Sequence, residues 1–318
     1  MNRCLRLALL LILVGLPLDR AGAEVQTYWD NDTDGFVPGA ATTDRNYTQG
    51  TRVNLFGAPD ALPAPARWLA DRLPGFGARE AERQFGLSLG QEIYTPDALS
   101  ARGPVHGDRP YAGWLYAGGS LSCRDARRMR SLELQVGTTG PASCAEDVQR
   151  WWHHQLGVRA PQGWRYQLHG EPGIVVSGQE RLRPWGYRRH ADLVPHAGVT
   201  LGNVHTEAVA GVTVRLGLPL PDDFGPWRNA ATGSARGRFH LYVFARAEGR
   251  AVARNLFLDG NTFGSSLHVT RIPLVGEAQL GVAGKWHRLG FRYTFSYTTA
   301  EFRERPYSQE YGSFAIVI

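Results

Sequence analysis

Two stretches alternate so strictly that few folds remain open to the chain. Between His205 and Gly217, Thr206, Ala208, Ala210, Val212, Val214 and Leu216 share one face, while His205, Glu207, Gly211, Thr213 and Arg215 share the other. From Trp286 to Thr298, His287, Leu289, Phe291, Tyr293, Phe295 and Tyr297 oppose Arg288, Gly290, Arg292, Thr294, Ser296 and Thr298. A period of two belongs to a strand whose faces meet different surroundings. A water-soluble sandwich also produces this pattern. The length of the runs, often about ten residues, suits a tilted strand crossing a bilayer better than the five or six usual in a soluble sheet.

Twelve segments read this way: 24–30, 45–56, 83–94, 111–122, 131–138, 164–176, 190–201, 205–218, 238–252, 268–282, 286–300 and 308–318. An even number is what a bacterial barrel requires. The expected fold is therefore all-β, a twelve-stranded antiparallel transmembrane β-barrel with a short helix in an outer loop. The last strand, ending GSFAIVI, puts Phe314, Ile316 and Ile318 on one face in the manner of a barrel terminus, although it closes on an aliphatic residue where an aromatic one is common.

The chain opens with Arg3 and Arg6, an apolar run from Leu7 to Leu18, and Ala21 and Ala23 before Glu24. That is the pattern of a secretory signal peptide over residues 1–23, followed by a barrel domain over 24–318. The run falls short of the roughly 20 apolar residues a membrane helix needs. Of the net charge of +6, the leader carries +2, from Arg3, Arg6 and Arg20 against Asp19. Arginine supplies nearly all the positive charge, and Lys285 is the single lysine. Arginine's planar fork suits phosphate, although an arginine-favouring genome would leave the same mark.

Two connections fit poorly. Residues 57–82 and 219–237 are long and rich in proline and glycine, yet fall on the rim where turns should be short. The first reads as a loop with a helical turn around 67–73, the second as irregular. With both termini on the periplasmic side, odd-numbered strands end at the outer rim, so loops 31–44, 95–110 and 139–163 open outward. Each holds or adjoins polar residues: Asn31, Asp32 and Asp34, with Asp44, Arg45 and Thr48 beyond them; then Arg102, His106, Asp108 and Arg109; then Glu146, Gln149 and His153. Outer loops are often polar without further purpose.

The third loop carries the short helix. Ser143 and Glu146 fit a capping box, and Gly157 a stop. On a helix from Cys144 to Leu156, Glu146, Gln149 and His153 form one stripe, with Val148, Trp151 and Trp152 on other sides. Such a stripe can orient a water, or it can be a wet helix face. Cys4 leaves with the leader. Cys123 and Cys144 fall at opposite ends of the barrel, about 25 Å apart, too far for a disulfide, so both thiols are expected to stay free.

Several motifs together resemble the lipid A 3'-O-deacylase family of outer-membrane barrels: N-D at Asn31, T-D-R-x-Y-T-x-G at 43–50, G-Q-x-I-Y-T-P at 90–96, G-D-R-P-Y-A-G-W-L-Y at 107–116, G-P-A-S-x-x-E-x-V-Q at 140–149 and G-W-x-x-Q at 163–167. L-G-N-V at 201–204 and F-L-D-G-N-T-F at 257–263 continue the likeness. The resemblance implies a carboxylic ester hydrolase that removes the 3' acyloxyacyl group of lipid A with calcium, at the outer rim between the wall and the loop helix. By position the catalytic histidine falls on His153, with His154 its competitor, and Gln149 and Thr48 beside it. Asn31 and Asp32 fall on the calcium ligands. The lysine that some members carry in the second outer loop has no match, Arg102 being the nearest cation; Arg102 and Arg109 suit the phosphates of lipid A, and Asp108 beside them is expected among the substrate-binding residues. The acid and tyrosine that some members place before the tryptophan at Trp164 are absent, with Arg159 and Pro161 there instead.

The residues suit that chemistry. Imidazole titrates near neutrality and can take a proton from water. A hard cation on oxygen ligands stabilises an oxyanion. The one Gly-x-Ser-x-Gly spacing, at 86–90, falls inside a strand segment and not at a strand-to-helix elbow, so a serine nucleophile is not the first choice. The expected partners are lipid A or lipopolysaccharide as substrate and the outer-membrane lipids, with no nucleic acid, and a monomer is expected. The rival readings are an outer-membrane phospholipase and a non-enzymatic porin or adhesin.

Overall fold

The computed structural model describes residues 23–32, 45–76, 81–185, 189–231 and 239–318. The leader expected over 1–23 lies, up to residue 22, outside them, as do Asp34 and Asp44. Twelve antiparallel strands close a barrel in sequence order. They are β1 (Glu24–Asn31), β2 (Asn46–Phe56), β3 (Glu82–Thr95), β4 (Ala112–Arg124), β5 (Arg128–Thr139), β6 (Pro172–Leu182), β7 (Ala191–Gly202), β8 (His205–Gly217), β9 (Phe239–Asn255), β10 (Leu274–Trp286), β11 (Leu289–Thr298) and β12 (Gln309–Val317). Pairing of Gln26 with Val317 seals the seam and puts both termini at one rim. No described helix is long and apolar enough to cross a membrane.

Side chains obey the alternation read from sequence. Leu134, Val136, Ile174, Val176, Val214, Leu216, Phe291 and Ile316 are exposed on the outside, while Arg52 and Glu133 pair inside at 2.8 Å. Three segments shift against expectation. Residues 164–166 form a 3-10 turn and β6 begins only at Pro172. β10 begins at Leu274, and Trp286 ends it, so the turn falls at His287, with φ 56°, and Arg288. Pattern alone does not mark where a strand leaves the barrel wall for a loop.

Both ill-fitting connections have a structural purpose. Residues 57–76 run outside the barrel, where helix α1 (Ala64–Ala70) starts behind Pro63 and sets Ala66 and Ala70, with Leu62 and Phe76, on Leu121 and Cys123 of β4. The expected turn at 67–73 thus lies a few residues earlier, because a proline fits the start of a helix. The other connection enters the lumen from the same rim. Arg228 holds Asp30 at 2.6 and 2.8 Å, and Trp227 is sandwiched between the guanidiniums of Arg181 and Arg246, 4.2 and 3.8 Å from its ring. Asn229 accepts from Arg181 at 2.8 Å. A buried charge is tolerable only when paired, and this loop supplies partners that the inward-facing arginines and acids need.

Candidate active site at the outer rim

The opposite rim carries the longest connection, residues 140–171, part of which folds back onto the outside of the barrel. After β5 a 3-10 turn (Gly140–Ser143) leads into helix α2 (Ala145–Leu156), which packs on β3 and β4. Sequence allows the approach at one point above all. A Cβ on Gly113 of β4 would lie 2.1 Å from Ser143 Oγ and 2.3 Å from Ala145 Cβ, so any larger residue would push the helix away. Ile93, Tyr111, Ala145, Val148 and Trp164 fill the interface, with Trp152 at its edge. Gln91, pointing outward from β3, donates to the carbonyl of Ser143 at 2.6 Å.

The expected capping box does not form. Cys144, at φ 60°, precedes the helix without a side-chain cap. Ser143 Oγ donates to Gly140 O at 2.6 Å, and Glu146 pairs with Arg150 at 3.0 Å. The 3-10 turn takes Ser143 out of reach of the helix amides. Gly157 does close the helix, at φ 68°, donating to His154 O at 3.3 Å. The expected stripe therefore divides. Gln149 and His153 are buried against the wall with Val148, whereas Glu146 faces outward and His154 is exposed.

Each buried polar group has a defined setting. His153 Nδ1 lies 2.7 Å from the carbonyl oxygen of Arg159. A carbonyl only accepts, so Nδ1 carries the proton and, in the neutral ring, Nε2 carries the lone pair. Gln149 Oε1 accepts from the indole Nε1 of Trp164 at 2.8 Å. Its Nε2 is buried with no hydrogen-bond partner among the described residues, which costs about 1–3 kcal/mol.

The first loop meets the same rim through an irregularity in β2. The pairing with β3 slips between Tyr47 and Gln49, leaving Thr48 as an extra residue. Thr48 Oγ1 then lies 2.6 Å from Thr95 Oγ1 of β3, and its carbonyl accepts from Asp32 N at 3.4 Å. Asp32 is buried and accepts from Arg45 N at 2.6 Å. Asn31, the last residue of β1, stands beside it. Bulges beside functional sites commonly re-aim side chains in this way. The donors gathered here are oxygens, one of them a carboxylate, which suits a hard cation. No group of three or more His, Cys, Asp or Glu able to hold a metal occurs among the described residues.

The second loop is placed differently. Arg102 is exposed, and its carbonyl accepts from Arg165 at 2.6 Å. Arg109 is only 1% exposed, reaches Glu301 at 2.7 Å and lies over the Tyr94 ring. Asp108 accepts from the amides of Asp97 and Arg109 at 2.9 and 2.8 Å. These two lock the loop to its neighbours. Glu171 does the same between the third and fifth loops. Burial works against its charge, but the side chains of Thr262 and Asn261 and the amides of Phe263 and Thr262 hold its carboxyl below the usual range.

Cys123 is free and buried, as expected. Cys144, against expectation, is not free: it is disulfide-bonded, with its partner outside the described residues. Sequence reasoning gave no role to Thr95, Trp164 and Gly113. All three sit inside the quoted motifs, but only the docked helix shows what they do.

A family model described as outer membrane protein LpxR matches residues 5–318. Among solved structures, LpxR from Salmonella typhimurium aligns with a TM-score of 0.76 at 22% identity, covering 93% of this chain and 99% of that one. The β domain of the Bordetella autotransporter BrkA aligns at 0.45 and 12% identity, covering 93% and 97% of the two chains. No curated protein matches the sequence.

Proposed function

The chain belongs to the LpxR family of outer-membrane proteins, and on that premise we propose that it is a lipid A deacylase, hydrolysing the ester that links the 3' acyloxyacyl group to the sugar. Its barrel lies in the bacterial outer membrane. One observation carries the reading. The loop helix turns Gln149 and His153 inward against the lipid-facing wall, at the rim that also holds Asn31, Asp32 and Thr48. Burying polar groups there is costly and serves no packing need that an apolar residue would not meet better.

In this reading His153 is the general base. Nδ1, held by the Arg159 carbonyl, keeps its proton, and Nε2 takes one from a water. The water oxygen attacks the ester carbonyl, and the tetrahedral intermediate expels the sugar oxygen, which takes the proton back from the imidazolium as the fatty acid leaves. Asn31 and Asp32, with Thr48 beside them, would hold calcium, which would stabilise the charge developing on the carbonyl oxygen. Arg102, exposed on the second loop, receives a lipid A phosphate. Arg109 and Asp108 act at one remove, fixing the loop that carries it.

The Arg159 carbonyl also bears on a departure from the family pattern, the missing acid before Trp164. A main-chain oxygen here orients the imidazole as a carboxylate would, without adding charge. An open channel finds no support, because Trp227 and Arg228 cross the lumen. The test is mass spectrometry of lipid A and phospholipids from cells with and without the protein. Loss of one acyloxyacyl group from lipid A alone is expected. Loss of acyl chains from phospholipids instead would replace this reading with a phospholipase.

A further inference from the structure

The indole of Trp164 is a hydrogen-bond donor with no accepting nitrogen. An amide group is ambiguous in orientation by itself, but a neighbour that can only donate removes the ambiguity. Trp164 Nε1 lies 2.8 Å from Gln149, so the atom facing it must be Oε1. The amide NH2 is then turned the other way, and it is this atom that is buried and has no partner among the described residues. Both residues are fully enclosed, Trp164 at 0% and Gln149 at 1% exposure, so water does not compete for the bond. Trp164 itself is wedged by Tyr111, with ring centres 5.0 Å apart, and starts a 3-10 turn behind Gly163. The Gly163 Cα has Tyr111 so close that a Cβ would lie 2.4 Å from the ring. The indole thus has little freedom to swing away.

We propose that Trp164 is a positioning residue that fixes the polarity of Gln149, presenting its NH2 to the site as a donor and denying the site its carbonyl as an acceptor. The inference rests on the deacylase reading. It changes what Gln149 can do. With Oε1 turned to the indole, the group that Gln149 offers on its other side is a donor and not an acceptor for water or the imidazole. A donor held on the face that carries His153, one turn earlier, matches what a carbonyl oxygen needs as it becomes negative. An unpaired buried donor is a standing cost in the free protein that is relieved when such an oxygen arrives.

The test replaces Trp164 with β-(3-benzothienyl)alanine, which keeps the ring shape and loses only the N–H, with 5-fluorotryptophan as the control that keeps it. Barrel assembly is checked by heat-modifiable migration on gels. The benzothienyl variant is expected to lose roughly 10- to 100-fold in kcat at unchanged KM, a fraction of what removing an oxyanion donor costs. The fluorinated variant should keep wild-type rates. Gln149→Met in the benzothienyl background should add little further loss, since the two act through one bond. An active wild type whose benzothienyl variant is equally fast overturns the inference alone. A wild type that leaves lipid A intact overturns the deacylase reading and this inference with it. The bond also has a readout that needs no turnover: the indole N–H resonance absent in Trp164→Phe should shift in Gln149→Met, and an unmoved resonance counts against the bond itself.

Discussion

Two short helices lie on the same strip of the barrel's outer surface, one at each rim, and they are built from opposite materials. At the rim of the termini, α1 buries Ala66 and Ala70, with Leu62 and Phe76, against Leu121 and Cys123, and every one of these contacts is apolar or nearly so. At the other rim, α2 buries Ala145 and Val148 against Ile93, but also Gln149 and His153. Between them the strip is bare, with Leu87 51% exposed. Apolar packing against a lipid-facing wall gains little over contact with lipid tails. Each buried polar group, by contrast, must be held by partners or cost free energy. The first helix only covers the wall, whereas the second encloses chemistry between itself and the wall.

Breaking the comparison most severely means removing the imidazole. His153→Asn should reduce lipid A deacylation about a thousandfold, in the range expected for a lost general base, while the folded barrel still shows heat-modifiable migration. Activity moved instead to dependence on His154 would transfer the role to an exposed neighbour. Chelation of divalent cations with EGTA should depress deacylation about a hundredfold or more, restored by calcium, and Asp32→Ala should behave like the chelated wild type in the same assay. Persistence of full activity in EGTA would discard the cation.

A smaller effect separates docking from chemistry. Gly113→Val should push α2 off the wall and cut kcat roughly tenfold to a hundredfold, since misplacement of about 1 Å is costly to a positioned reaction. The matched change at the other rim, Ala70→Leu, should lower thermal stability by about 1–3 kcal/mol through overpacking and leave kcat unchanged. Equal loss of activity in both would mean that the two helices are not separate in function. The smallest effect is expected on the exposed face of α2. Glu146→Ala removes an ion pair with Arg150 worth about 0.3–0.5 kcal/mol and should leave lipid A turnover at the wild-type rate.

The candidate site was legible chiefly through the family resemblance carried by short motifs. That resemblance picked out Asn31, Asp32, Thr48 and His153, the helix spacing added Gln149, and the structure puts the five at one rim. Other expectations rested on local grammar that the tertiary contacts overrode. Ser143 looks like a helix cap, yet the tight turn before it sends its hydroxyl to Gly140. Arg109 looks like a phosphate ligand, yet it is spent on Glu301, nearly two hundred residues away in sequence. A motif carries residue identity but not which of its members will be claimed by a neighbouring loop.

Alternation along the strands, together with their length, determined the barrel, its strand number and which side chains meet lipid, because period and length are properties of each segment alone and every strand repeats them. Tertiary structure decided the rest. The inward course of Trp227 and Arg228, the clamping of α1 and α2 to the outer wall, and the turning of His153 and Gln149 away from solvent all depend on contacts between residues far apart in the chain. Such contacts leave no period to read, since they are set by the shape and charge of a surface that exists only once the barrel has closed.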